Sequence, residues 1–359
     1  MLMADYWHDA QLAAHFSGHD PNTLGHEYLM NDAGQVALAL GPSNHLGSNT
    51  NSFSYTGSTL SAAPPPTLVG SSNGLQIDLV WDSSVANAPK GFMQAIIDAA
   101  QYYTTLFSNH EVIKIDVGYG EIAGSTLSPN ALGESESYGY LTNYSTVTAA
   151  LSHDGFVFSA TNEPTNSQFF LTSAEAKALG LVNPTSGLDG YIGFSTLSGT
   201  GYSWNTAASV AGSNTGTASN QFDLQSVAFH EISEVMGRIG MDGAIINGKA
   251  TDTPLDLFKF QSSGVLDLAP NGGYFSNNDG VTHLGTFNNA SLHGGDVADW
   301  ASSTSPTQSN TVGLASGTHV FDAFDAFAFP GYNGDLSQSD ILELAALGYK
   351  LTPTGVAAA

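Results

Sequence analysis

The stretch from Phe222 to Arg238, FDLQSVAFHEISEVMGR, constrains this chain more than any other segment. Ala228, Ile232, Val235, Met236 and Ile239 recur at helical spacing and define an apolar face. Asp223 stands where an N-cap belongs, and Gly237 or Gly240 where a helix ends. His230, Glu234 and Arg238 follow at four-residue intervals, so they line up on a second face. Glu231 projects about 100° round the axis from His230. An imidazole and a carboxylate one turn apart can hold one cation, with the neighbouring acid in reach of a water on that ion. The same letters also have a metal-free reading. Arg238, the only arginine in the chain, follows Glu234 in the favourable order for an ion pair, worth ~0.3–0.5 kcal/mol on an exposed helix.

Composition narrows the function class. Seven Lys and Arg against 32 Asp and Glu give a formal charge of −25 and a pI near 4.3. A field of that sign repels nucleic-acid phosphates and anionic lipid, so neither nucleic acid nor membrane is an expected partner. With 42% hydrophobic and 10% aromatic residues the chain can build a sizeable core, which excludes global disorder. The lack of cysteine excludes disulfides, thiolate metal sites and thiol nucleophiles. The opening MLMADYWHDAQLAAHF lacks the cationic and apolar regions of a cleavable signal. No run approaches the roughly 18 apolar residues of a membrane span. An acidic, cysteine-free chain with 40 glycines matches many bacterial proteins exported without such a signal, so a secreted protein is expected.

The chain divides at Ala63-Pro64-Pro65-Pro66. Residues 1–66 hold five of the eleven histidines (His8, His15, His19, His26 and His45) and read as a loosely packed N-terminal extension with a Pro-rich linker. The sharper alternative is a prosegment. Residues 67–359 form the main domain. Within it, Leu75 to Trp81 alternates as a half-buried strand does, and Pro89 opens a helix whose stripe is Phe92, Ile96, Ala99, Tyr103 and Leu106. Strands are expected at 112–117 and 138–142, followed by a short helical stretch at 147–151. No internal repeat is evident.

The string around His230 resembles the active-site helix of the zincin metallopeptidases, in particular the matrixin and serralysin branch of the metzincins. That helix reads approximately F-D-L-x-S-V-A-x-H-E-x-G-H-x-L-G. His230 matches the first metal ligand, Glu231 the general base and Gly237 the helix-ending glycine. The upstream strand, helix, strand and edge strand follow the order of the zincin upper subdomain. The stretch 336–344 resembles its last helix, and the intervening part looks like uncharacterised secreted bacterial relatives. The resemblance implies an α+β, zincin-like fold: a mixed twisted sheet with an active-site helix, preceded by the extension and followed by an enlarged C-terminal subdomain. It also implies a zinc-dependent endopeptidase, expected as a monomer, acting on a protein or peptide that lies along the edge strand.

The departures are specific. Glu234 replaces the second ligand histidine, giving HExxE, and the metzincin third ligand falls at Gly240. Asp256, an acid inside the strand-like apolar run 255–260, is the preferred third ligand because such an acid needs a partner or a metal. Asp242 is the alternative. Two carboxylates would formally neutralise a divalent ion, weaken its acidity and shift preference toward manganese or calcium. A catalytically inactive zincin-like adhesion or binding protein is therefore the second expectation, and a glycan hydrolase with a carboxylate pair the third. Asn277 to Gly280 reads as a hairpin turn between 274–275 and 281–284. The acids around Asp299 and Asp322 read as strand or cleft positions beside aromatics.

Overall fold

A computed structural model describes residues 63–129, 131–153, 164, 167–184, 187–207, 216–269, 272–302, 310–314 and 320–359, and the backbone at 27–31 and 36–38. Two short strands come from the extension, β1 (Glu27–Asn31) and β2 (Val36–Leu38). After the prolines come β3 (Thr67–Gly70) and β4 (Gln76–Trp81). In β4, Ile77, Leu79 and Trp81 are buried while Gln76, Asp78 and Val80 are half-buried, as a two-residue repeat requires. Helix α1 (Phe92–Leu106) buries the stripe that its spacing predicts. Its start differs from the expectation. Pro89 lies in the preceding turn, its carbonyl accepting from the Phe92 amide at 3.1 Å, and Gly91 occupies the cap with φ of 90°.

The chain continues through β5 (Val112–Tyr119), β6 (Gly133–Thr142), α2 (Tyr144–His153), β7 (Ser167–Thr172), α3 (Ser173–Ala178) and β8 (Gly190–Phe194). Next are β9 (Ser203–Asn205), β10 (Gln221–Asp223) and α4 (Leu224–Val235), the helix read first in the sequence. The last third holds β11 (Ala244–Ile246), β12 (Lys249–Asp252), β13 (Lys259–Ser262), β14 (Val265–Leu266), β15 (Tyr274–Phe275) and β16 (Gly285–Thr286). It closes with α5 (Ala290–His293), β17 (Val320–Asp322), β18 (Asn333–Asp335), α6 (Gln338–Ala346) and α7 (Pro353–Ala358).

The main sheet is mixed. β3 runs antiparallel to β4, while β4, β5 and β8 are parallel. β6 is antiparallel to two strands that share one of its edges end to end. Gly133–Ser137 pair with β8, and Gly139–Thr142 pair with β7. β7 carries β12 in parallel, and β12 carries β11 antiparallel. Residues 136, 137, 139 and 140 of β6 each have a second partner in β1, which therefore lies on the opposite edge, in register from Glu27↔Tyr140 to Asn31↔Glu136. The expectation of a loosely packed extension thus fails at 27–31, a strand of the main sheet. The five histidines of the extension lie outside the described residues.

The core fills the space between this sheet and the helices. Ile77, Leu79, Ile113, Ile115, Val117 and Ile192 meet the stripe of α1 and Leu224, Ala228 and Ile232 of α4. Tyr103 Oη donates to the Phe229 carbonyl at 2.7 Å, and the two rings meet edge-on, which fixes α1 against α4.

Two local expectations are corrected. The run 255–258 is a 3-10 turn rather than a strand, with β13 starting only at Lys259. The hairpin after Tyr274 resumes at Gly285 rather than Val281, because Asn278 Oδ1 accepts from the Thr282 amide and its amide group donates to Thr282 Oγ1, folding that stretch into a loop. The architecture is α+β, with a multi-strand mixed sheet and several helices.

Candidate metal centre

Asp223 caps α4 by accepting from the Gln225 amide at 3.3 Å. Every residue of α4 is buried, so the polar side chains on its second face must find partners inside the protein. His230 and Glu234 of α4 meet Asp299 and Arg238 there. His230 Nε2 lies 3.2 Å from Glu234 Oε1 and 3.2 Å from Asp299 Oδ1. Arg238 closes the group with Nη1 2.7 Å from the same Asp299 oxygen and Nη2 3.2 Å from the same Glu234 oxygen. Its Nε donates to Ser233 Oγ at 2.7 Å, and its guanidinium carbon sits 4.4 Å from the centre of the Phe324 ring. From β6, Ser135 Oγ donates to Glu234 Oε2 at 2.8 Å.

The other ring nitrogen sets the chemistry. His230 Nδ1 is 2.9 Å from the Ala323 carbonyl, which can only accept, so Nδ1 carries a proton. Nε2 therefore faces two carboxylate oxygens either as a lone pair or as N–H. A lone pair against two anionic oxygens is repulsive unless a cation stands between them. Either a metal ion or a proton satisfies that demand. Burial and Arg238 push the His230 pKa down, Asp299 and Glu234 push it up, and the outcome is about 9. Burial pushes Asp299 up, but His230 and Arg238 outweigh it and hold that carboxyl below its usual range.

The donor set fits a metal. Bonds of about 2.0–2.1 Å to a tetrahedral ion place neighbouring ligand atoms about 3.3–3.4 Å apart, close to the two 3.2 Å separations. A carbonyl holding the far nitrogen is the usual support for a ligating imidazole. Among the described residues, His230, Glu234 and Asp299 are the group whose ligand atoms converge within 4.8 Å. Charge gives a further test. With both carboxylates ionised and Arg238 charged, a proton on Nε2 makes the cluster neutral, whereas a divalent ion leaves it positive. Fully buried Glu343 of α6, with no hydrogen-bond partner on either oxygen, is placed to offset that excess. Burial pushes its carboxyl well above the usual range, with Arg238 the leading opposing influence.

Glu231 is fully buried against β6. A Cβ at Gly133 would lie 2.8 Å from both its carboxyl carbon and Val227 Cγ1, so the glycine makes the room this side chain occupies. Asp256 does not join His230 and Glu234. Its Oδ2 accepts from the amides of Thr253, Met241 and Asp242 at 2.7, 3.2 and 3.3 Å, tying down the loop after α4. An acid among apolar residues needs a partner, and here backbone amides provide it. Asp242 is held by Lys259, whose Nζ lies 2.8 and 2.7 Å from its two oxygens. Asp299 takes the third position. Nothing in the local pattern at 296–300 separates it from the neighbouring acids, and only tertiary packing brings it to α4.

No helix among the described residues is long and apolar enough to cross a membrane. No protein-family model, no curated protein and no solved structure matches this chain.

Proposed function

We propose that this protein is a secreted, metal-dependent endopeptidase on a zincin-like scaffold, with His230, Glu234 and Asp299 as the ligand set and Glu231 as general base. The convergence of His230 Nε2 on two carboxylate oxygens, on the helix that also buries Glu231, carries the reading. When bound, the ion would polarise a water and a peptide carbonyl. Glu231 would take a proton from that water on its carboxylate and return it to the departing amine. Ala323 holds the imidazole orientation, and Ser135 and Arg238 hold Glu234. Zinc fits the nitrogen donor; the two carboxylates also suit manganese or calcium.

A second reading is favoured by Arg238, which bonds to the same oxygens the ion would use. In it a proton on His230 completes a metal-free ion-pair network, and the protein is a non-catalytic binding or adhesion module. Metal analysis of the purified chain and a peptide-digestion assay with and without chelator separate the two. The peptidase reading expects about one equivalent of metal, lost in His230→Ala, and turnover abolished in Glu231→Gln with the metal retained. A chain that stays metal-free in excess zinc and manganese supports the second reading.

A further inference from the structure

Lys259 Nζ faces both oxygens of Asp242, at 2.8 and 2.7 Å, and each side chain is only 2% exposed. Near-equal distances to the two oxygens hold the nitrogen opposite the carboxyl carbon. Lys259 opens β13, and Asp242 lies in the loop after α4, where a positive φ of 45° turns the backbone. Asp256 accepts from the Asp242 amide at 3.3 Å and so steadies the main chain from which that carboxyl projects. Nζ also donates to the Ala269 carbonyl at 2.9 Å, and the centre of the Phe287 ring lies 5.9 Å away.

The buried lysine of α3 is arranged differently. Asp189 meets Lys177 through one oxygen and also accepts from Ser173 Oγ and the Lys114 amide, donors that favour its charged form. Among the described residues the Asp242 carboxyl accepts from Lys259 alone. Burial foremost, and then Asp256, push that carboxyl from 3.8 up to about 8, with Lys259 pulling the other way. Opposite charges are costly to keep in a medium of low polarity. Moving one proton along the existing hydrogen bond leaves a neutral amine beside a neutral acid. A nucleophile then stands against an electrophile with bulk water shut out.

We propose that Lys259 and Asp242 become joined by a side-chain amide between Nζ and Cγ, a covalent tie from the loop after α4 to the start of β13. The Nζ lone pair forms the new bond to Cγ, and one carboxyl oxygen departs. That oxygen leaves as water, with the acid's own proton and one from the amine, so no oxidant, metal or co-reactant is needed. The remaining N–H keeps the Ala269 carbonyl as its acceptor, so the product strands no buried donor. In a chain without cysteine, this crosslink is independent of redox conditions. The tied loop also backs the centre on α4. A Cβ at Gly240 would lie 2.8 Å from Val297 Cγ2 and 3.5 Å from Ala298 Cβ, in the segment that brings Asp299 to His230. Neither joined residue belongs to that centre, so the proposal stands whether or not a metal binds there.

Trypsin and mass spectrometry test this on the full-length protein, kept folded at neutral pH for several days and then denatured for digestion. Cleavage follows Arg238, Lys249 and Lys259, so a free Lys259 releases the peptide 250–259. An amidated Lys259 is not cut. Peptide 239–249 should then appear as a branch on 250–350, one water lighter than the two peptides together. The yield of 250–259 should fall about tenfold or more below that from Lys259→Arg, whose guanidinium keeps the charge but does not condense. Because digestion follows denaturation, that comparison holds even if the variant folds poorly. Equal yields of 250–259 overturn the proposal. So does a lost water with Lys259 still cut, the mark of an imide closed on the same carboxyl by the Gly243 amide.

Discussion

Two buried ionic groups sit at different places in this molecule, and they solve the same problem differently. On α3, Lys177 Nζ lies 2.5 Å from Asp189 Oδ2 and donates to the Val112 carbonyl at 3.0 Å. Asp189 also accepts from Ser173 Oγ at 2.6 Å and the Lys114 amide at 2.8 Å. One cation meets one anion, and both are saturated. On α4, two carboxylates meet Arg238 and an imidazole that is satisfied by either a proton or a metal ion. A saturated pair fixes a fold. The group on α4 has a position whose occupant can change, which is what a functional centre needs.

The largest expected effect breaks the saturated pair. Lys177→Met leaves Asp189 charged and buried, so unfolding free energy at neutral pH should fall by ~3–5 kcal/mol. Urea denaturation should give the same loss with zinc or with chelator; a zinc-dependent loss would erase the distinction between the two groups.

Next comes Glu111, buried beside that pair with no hydrogen-bond partner on either oxygen. Burial first, and repulsion from Asp189 second, push its pKa up from 4.5 to about 8, with Lys177 opposing. An acid raised in the folded state holds its proton longer there than in the unfolded chain. Its contribution is therefore fully present below the unfolded value and is lost as pH climbs from 4.5 to about 8. By pH 7 the loss is on the order of 3 kcal/mol. Glu111→Gln should flatten the decline in stability between pH 5 and pH 8; an unchanged slope would assign it to other groups.

The smallest effect sharpens the group on α4. Ser135→Ala removes the hydroxyl that orients Glu234 and should cost about 1 kcal/mol of stability. If Glu234 is a ligand, zinc affinity should also weaken, by about tenfold or more. Unchanged zinc affinity in calorimetry would leave Glu234 as Arg238's partner alone.

The sequence made α4 legible because its cap, its apolar face and the His230–Glu234–Arg238 row depend only on spacing along one helix. The strands at Gln76–Trp81 and Val112–Tyr119 were legible for the same reason. The third member of the centre was not. Asp299 reaches His230 only because the segment after α5 packs against α4, and no periodicity encodes that contact. Asp256 attracted notice through its apolar neighbours, yet what satisfies it is the shape of a loop, set by positive φ at Asp242 and Gly243 and by the turn at Thr253. β1 escaped notice because its partner lies more than a hundred residues downstream.

The end-to-end arrangement of β7 and β8 has a mechanical consequence. Among the described residues these strands do not pair with each other, so the wing formed by β12 and β11 and the wing formed by β5, β4 and β3 share no ladder except through β6. β6 is a splint across a break in the sheet. Peeling it away would divide the sheet into halves and carry off the wall against which the buried glutamate of α4 rests.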